Sequence, residues 1–412
     1  MMACFDAGLS RARLNRTLSA VKMGAVLTGL LALAGCGSVG IGGPFSGDSR
    51  PAGGGPTTPL AQDTGSAIGH GPVKIALILP LTQGGQPSNV GLSLRNAAEL
   101  AMSERGMDAV TLLVKDDQSS ADGARAAAQA ALNEGAEAFI GPLYAANMRE
   151  VGRIARGANR PVIGFSTDTS AAARGVYELS FLVETQVSRV VEFASSRGKK
   201  SMAVMAPETE YGNVALAQFQ TVAAAQGARI VAVERYRPGG AAAAAQKIAG
   251  LGDAVDALFV PEQADQMTAV AGAITSAGID IKRVQMMGTG VWNDARVMRL
   301  PALQGGWFAA PDNAGFNIFA QKYRTKFNAD PVRIATLSYD AVSLLVALSQ
   351  QGGGRFADAT LTNSDGFRGA DGLFRFRGDG QNERGLSVLQ IRNGTSTVIS
   401  PAPQKFTSPP GT

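Results

Sequence analysis

Histidine is nearly missing from this chain: His70 is the only one in 412 residues, and it lies in a low-complexity stretch. A lone, solvated linker histidine leaves no Ser-His-Asp triad, no Cys-His dyad and no histidine-rich metal site. Cysteine is as scarce, with Cys4 and Cys36 alone. Aromatic residues make up 6% of the chain, while alanine and glycine are plentiful, a composition for helices packed close on sheets. The formal charge of +5 is small. Arg11, Arg13, Arg16 and Lys22 stand against Asp6 within residues 1–35, so most of that excess belongs to the first segment. No basic run or basic–aromatic interleaving follows, which excludes nucleic acid as a partner. The apolar run Gly24–Ala32 is too short for a comfortable membrane span.

What is present begins with that segment. Residues 1–35 read as an export signal: four basic residues, the short apolar run, then Leu33-Ala34-Gly35-Cys36. The last four resemble the bacterial lipobox, in which the cysteine is lipidated and becomes the first mature residue. Cys36 is then the only cysteine left, so neither a disulfide nor a free thiol is expected in an oxidising compartment. Gly37 rather than Asp after the lipidated residue favours the periplasmic face of the outer membrane, with the inner membrane as the alternative. Residues 36–72 are rich in Gly, Pro, Ser and Thr and form a flexible tether, with a reach of roughly 30–35 Å. Residues 403–412 read as a disordered tail.

The body is organised around Ala136–Asp168. Ala138–Ile140 and Val162–Phe165 are short apolar runs, each ending at a polar turn, with one helix length between them. That is a strand–helix–strand unit, and parallel strands require such a crossover. Upstream, Val73–Leu79 is a buried strand, Ser88 or Asn89 caps a helix, and Thr111–Val114 is a strand ending at Asp116-Asp117. Ser119 or Ser120 then caps a helix over Ala121–Asn133. A strand is expected over Val176–Val183. From Thr185 the alternation restarts: strands at Met202–Ala206, Ile230–Tyr236, Ala257–Val260, Val284–Met287 and Trp307–Ala310, with helices between, including Gln263–Ala277. Helices follow near Phe316–Phe327 and Ala335–Gln350, and from Gly366 an alternating, Gly-punctuated tail predicts antiparallel hairpins. The expectation is an α/β protein of two lobes, each a mainly parallel sheet flanked by helices, and 412 residues are too many for one ordinary core.

Ligands of open α/β sheets sit beyond the carboxyl ends of the strands. The turns at Tyr144 and Ser166-Thr167-Asp168 are two such ends, and Tyr211-Gly212 opening a helix is a candidate in the second lobe. Asp116-Asp117 has no third carboxylate or histidine nearby, so turn capping is its better explanation. Gly84-Gly85 and Gly288-Thr289-Gly290 match neither phosphate-binding fingerprint. No catalytic constellation, metal site or cofactor motif emerges.

The ordered set VKIALILPLT, the Asp-Asp turn, FIGP, PVIGFST, Tyr-Gly before a helix, and the tail GADGLFRFRGDG with RGLSVLQIRNG resembles the type I periplasmic binding proteins, the leucine/isoleucine/valine-binding group. The resemblance covers nearly all of residues 73–400. It implies an interlobe cleft that closes by hinge motion, crossings near Val183, Ala310 and Asn363, lobe 1 as 73–183 plus 311–363, and lobe 2 as 184–310 plus 364–402. It also implies a non-enzymatic protein. Amino-acid binders of the group hold the ligand carboxylate with a serine where this chain has Ala145, and use a threonine where it has Asp168. Their acid for the ligand ammonium aligns with Gly290, and their stacking aromatic with Gln263. Tyr211 alone matches. Asp168 would repel a ligand carboxylate, and Ser119 and Tyr144 replace a cysteine pair common in the group. The combination ILPLT, IGPLY and VIGFSTD resembles most the penicillin-binding-protein activator (LpoA-like) lipoproteins. That implies a lipid-anchored regulator of peptidoglycan synthases, in contact with a class A penicillin-binding protein. The alternative is the solute receptor of an ABC importer, with a permease partner and an amino acid or related small polar ligand.

Overall fold

The computed structural model describes residues 67–406. The signal segment 1–35, Cys36, the tether as far as residue 66 and the last residues of the tail lie outside the described residues. His70 is inside them, exposed, with its Nε2 2.7 Å from Asp108 Oδ1.

The chain lays down β1 (Val73–Leu79), α1 (Asn89–Arg105), β2 (Val110–Asp116), α2 (Ala121–Asn133), β3 (Ala138–Ile140), α3 (Ala145–Gly157), β4 (Val162–Gly164) and β5 (Val176–Glu178). It continues with α4 (Val183–Ser196), β6 (Ser201–Pro207), α5 (Glu210–Ala225), β7 (Arg229–Tyr236), α6 (Ala241–Ala249), β8 (Ala257–Phe259), α7 (Met267–Ser276), β9 (Gln285–Gly288) and β10 (Trp307–Ala310). Then come α8 (Asn313–Phe327), α9 (Ala335–Ser349) and five tail strands: β11 (Phe367–Gly369), β12 (Gly372–Phe376), β13 (Asn382–Arg384), β14 (Ser387–Arg392) and β15 (Thr395–Ser400).

The first sheet has the order β2-β1-β3-β4-β5, all parallel, with the edge segment Ala67–Ile68 antiparallel to β2. The second has the order β7-β6-β8-β9-β10-β14-β15, parallel except for its last two strands. The inner strands β1, β3, β6 and β8 are nearly continuous apolar runs because both faces are covered. Ile75, Leu77 and Leu79 point into one cluster while Ala76 and Ile78 enter the opposite one. In the second sheet Ala203 and Met205 oppose Met202 and Val204 in the same way. Helix starts follow from side-chain caps: Ser88 accepts from Gly91 N–H and Ser120 from Gly123 N–H, both at 3.1 Å.

Three expectations need correction. The strand over Val176–Val183 stops at Glu178, because its neighbour β4 ends at Gly164, the partner of Glu178; Leu182 then becomes the N-cap of α4. The helix expected over Gln263–Ala277 spans Met267–Ser276, since the Glu262 carboxylate accepts Gln263 N–H at 2.7 Å and holds the preceding residues in a turn. The tail is not all in the second lobe. Strands β11–β13 form a small antiparallel sheet that puts Phe374 and Phe376 into the first core, together with Leu361. Leu386 belongs to the second core, so the last crossing falls between Arg384 and Leu386 rather than near Asn363.

Candidate functional site

The first-lobe rim is built at the ends of β2, β3 and β4. Gly141 follows β3 with φ +81, and a Cβ there would lie 1.9 Å from Ile78 O; only glycine makes this turn. Tyr144 then opens α3 with Ala145 as its first residue, both half-buried. Burial raises the Tyr144 hydroxyl above its ordinary range, the Asp117 charge adds to this, and a hydrogen bond with Ser119 opposes it. Asp116 and Asp117 are turn staples. Asp116 accepts from Leu81 N–H, Thr82 N–H, Thr82 Oγ1 and Gln118 N–H at 2.6–3.1 Å. Asp117 is fully buried and accepts from Ser119 N–H and Asn147 Nδ2, each at 2.8 Å. Burial pushes its carboxyl up to about 6 against those two donors.

After β4, Ser166 is buried and its Oγ accepts Asp168 N–H at 2.9 Å, while Thr167 is exposed. Asp168 accepts from Ser170 N–H at 3.0 Å, Ser170 Oγ at 2.6 Å and Arg149 Nη2 at 2.6 Å. Burial works to raise its carboxyl, but the Ser170 bonds and Arg149 outweigh it and hold Asp168 below the usual range. This turn therefore carries an ionised acid with a cation already in place.

In the second lobe, Thr209 caps α5 by accepting Gly212 N–H at 3.1 Å. That cap places Tyr211 with its hydroxyl 2.5 Å from Thr289 Oγ1, in the turn after β9. The next residue, Gly290, donates its N–H to Gln186 Oε1 at 2.7 Å, and Gln186 Nε2 donates to Phe181 O at 3.0 Å. The Gly290 turn is thus tied to the first crossing segment. Gln263 is half-buried beyond β8; beside it Glu262 is buried and also accepts Tyr236 Oη at 2.8 Å. Burial raises the Glu262 carboxyl despite these donors. Asn293 and Asn313 join the lobes through reciprocal amide bonds of 2.8 and 3.2 Å.

The structure therefore joins Tyr211 to the turn bearing Gly290 and joins Tyr144 to the Asp117–Ser119 turn. Arg149, Asn147, Thr289 and Glu262 escaped the sequence reading. Arg149 and Asn147 share one helical stretch with Ala145, and Thr289 lies between two glycines in a segment weighed as a phosphate loop and, at Gly290 alone, as a cleft position. Among the described residues no group of three or more His, Cys, Asp or Glu is placed to hold a metal ion.

The periplasmic binding protein family model matches residues 72–396, which is both lobes and every crossing between them. The chain belongs to the periplasmic binding proteins. Solved structures similar to this binding protein include an ABC transporter protein of Rhodospirillum rubrum assigned to branched-chain amino acids, at 20% identity and a TM-score of 0.70, covering 79% of this chain and 99% of that one. A substrate-binding protein of Desulfitobacterium hafniense in complex with leucine aligns at 19% identity and a TM-score of 0.61, over 79% of this chain and 99% of that one. A solute-binding protein of Rhodopseudomonas palustris in complex with 3,4-dihydroxybenzoic acid aligns at 22% identity and a TM-score of 0.57, over 81% and 97%. A search of curated protein sequences finds no match. At these identities the structural likeness speaks for the fold of this binding protein alone.

Proposed function

We propose that this binding protein is the solute receptor of an ABC importer, taking an amino acid, an aromatic acid or a related small polar molecule between its lobes. The observation that supports the reading is that the candidate residues fall on strand-end turns of both sheets. Strand-end turns of the first sheet present Tyr144 and Ser166–Asp168, and those of the second present Tyr211, Gln263 and Gly290. The amino-acid and aromatic-acid ligands of the structural relatives support this class. Asp168 and Ala145 disfavour a carboxylate held at the first-lobe turn in the ordinary way, so a ligand acid group would be met elsewhere in the cleft. A thermal-shift screen with amino acids, aromatic acids and muropeptides tests it. A true ligand at one hundred times its Kd stabilises the fold by about 2.7 kcal/mol; silence across the amino acids and aromatic acids would defeat the reading.

A second reading, the penicillin-binding-protein activator, is favoured by one observation: the rim side chains bond to one another. Arg149 engages Asp168, and Tyr211 engages Thr289, so fewer polar groups await a solute. Pull-down of a class A penicillin-binding protein, with stimulation of its synthase activity, would support it. Under either reading we infer anchoring through Cys36 at the periplasmic face of the outer membrane, on the order of residues Leu33–Gly37. A Cys36→Ala protein is expected in the soluble fraction, and its retention by membranes would count against the anchor.

A further inference from the structure

Two of the interlobe crossings shrink to a single residue. Phe181 packs in the first core and Val183 in the second, with Leu182 alone between them. At the last crossing Leu386 packs in the second core, and Gly385 alone separates it from Arg384. Arg384 Nε donates to Ser180 O at 2.9 Å, and Asn382 Nδ2 reaches the same oxygen at 3.1 Å. The two crossings therefore run side by side.

On the first-lobe side of Leu182 and Gly385, arginines and aromatic rings alternate. The Arg333 guanidinium lies 4.6 Å from the Phe316 ring centroid and 4.8 Å from that of Phe181. The Arg384 guanidinium lies 4.8 Å from the Phe181 centroid and 5.4 Å from that of Phe374. The order is Phe316, Arg333, Phe181, Arg384, Phe374. Each crossing contributes a member: Phe181 from the first, Phe316 from the start of α8 just past the second, and Arg384 just before the last. The cations are fixed to the first lobe. Asp371 accepts from Arg333 at 2.6 and 3.0 Å, and the Asp371 and Asp340 charges lie beside Arg384. Two acids thus balance two cations, and Phe374 seats the far end of the row in the first core. Buried contacts of a guanidinium with a ring are strong and tolerate tilting. Beyond the row the restraint drops. Leu182 starts α4 without a side-chain cap, and Gly385 has the backbone freedom of glycine.

We propose that this row is the pivot of the interlobe hinge. It locks the three crossings together on the first-lobe side and confines bending to Leu182, Gly385 and the Pro311-Asp312 link. The second-lobe rim reaches the same point, because Gln186 bonds both Gly290 N–H and Phe181 O. The pivot concerns how the lobes move and holds whichever solute or partner the rims take.

Interlobe distances in the full chain test it. Spin labels are attached through ketone-bearing side chains introduced at Gln129 in α2 and Gln246 in α6, both exposed, and double electron–electron resonance gives the distance distribution. Phe181→Leu keeps an apolar side chain but removes the ring. The population outside the wild-type distance range is expected to rise about tenfold in that variant. Gly385→Ala is expected to act in the opposite sense and narrow the distribution; a Cβ there lies 3.2 Å from Pro403 O, a tight contact but not a clash. A folded Phe181→Leu protein with the wild-type distribution overturns the proposal, as does a Gly385→Ala protein that is no narrower. Should Phe181→Leu fail to fold, Arg333→Lys replaces it, since lysine keeps the charge facing Asp371 and loses the flat face that stacks. The same broadening then supports the pivot, and an unchanged distribution overturns it.

Discussion

Arg149 Nη2 lies 2.6 Å from Asp168 Oδ2, so an α3 side chain neutralises the acid on the adjoining strand-end turn. Both side chains are about half exposed, at 49% and 39%, which places the pair among those worth at most about 1 kcal/mol. Arg149→Gln is therefore expected to change urea-denaturation stability by less than that amount. Its effect should appear in ligand preference: with Asp168 unpaired, cationic solutes gain and anionic solutes lose. An unchanged ligand profile would remove this turn from the binding surface.

Tyr211→Phe deletes the partner of a hydroxyl that cannot reach solvent, since Thr289 is fully buried. Leaving a buried hydroxyl unmatched costs about 1–3 kcal/mol. The urea midpoint is expected to fall with an unchanged slope. A matching Thr289→Val change should recover much of the loss, because both partners are then apolar.

Glu178 is fully buried at the end of β5, and neither carboxylate oxygen has a partner among the described residues. Burial chiefly, with Asp168, Glu184 and Asp379 contributing, lifts its carboxyl from 4.5 to about 9. The folded protein then keeps a proton that the unfolded chain gives up, so stability falls as pH rises between those two values. The slope is about 1.4 kcal/mol per pH unit at most. Glu178→Gln is expected to flatten that decline in denaturation curves taken from about pH 5 to about pH 9, with its largest gain over wild type at the alkaline end. A decline that runs parallel in both proteins would show that Glu178 ionises freely in the fold.

Phe374 is 1% exposed and packs against Phe367 and Phe376, each with ring centroids 5.8 Å away. Phe374→Ala is expected to cost about 3–5 kcal/mol. Hydrogen exchange should localise the damage: protection drops in β1 and α9, which share its core, while β6 is spared. Equal loss in β6 would assign the small tail sheet to both cores.

Local pattern carried the reading far where a segment's fate is decided by its own residues. Val73–Leu79 and Ala138–Ile140 are strands within the bounds their apolar runs suggest, and Ser88 and Ser120 cap as their spacing implies. Pattern failed where a distant partner decides. Val176–Val183 has the composition of one strand, but its length is cut by the end of β4. The alternation in β11–β13 predicts hairpins without saying which core receives them. On the rims, the turns are legible as strand ends. The bonds that define them are not, because Gln186 and Gly290 are 104 positions apart and no periodicity links them.

The tail sheet also bears on how such a chain is made. Phe374 and Phe376 complete a core whose first strand begins at Val73, so the amino-terminal lobe cannot close before those two residues have been made. Long-range closure of this kind is slow. A product truncated before Phe374 would leave both lobes unfinished, the first without its Phe374 and Phe376 and the second without its last two strands.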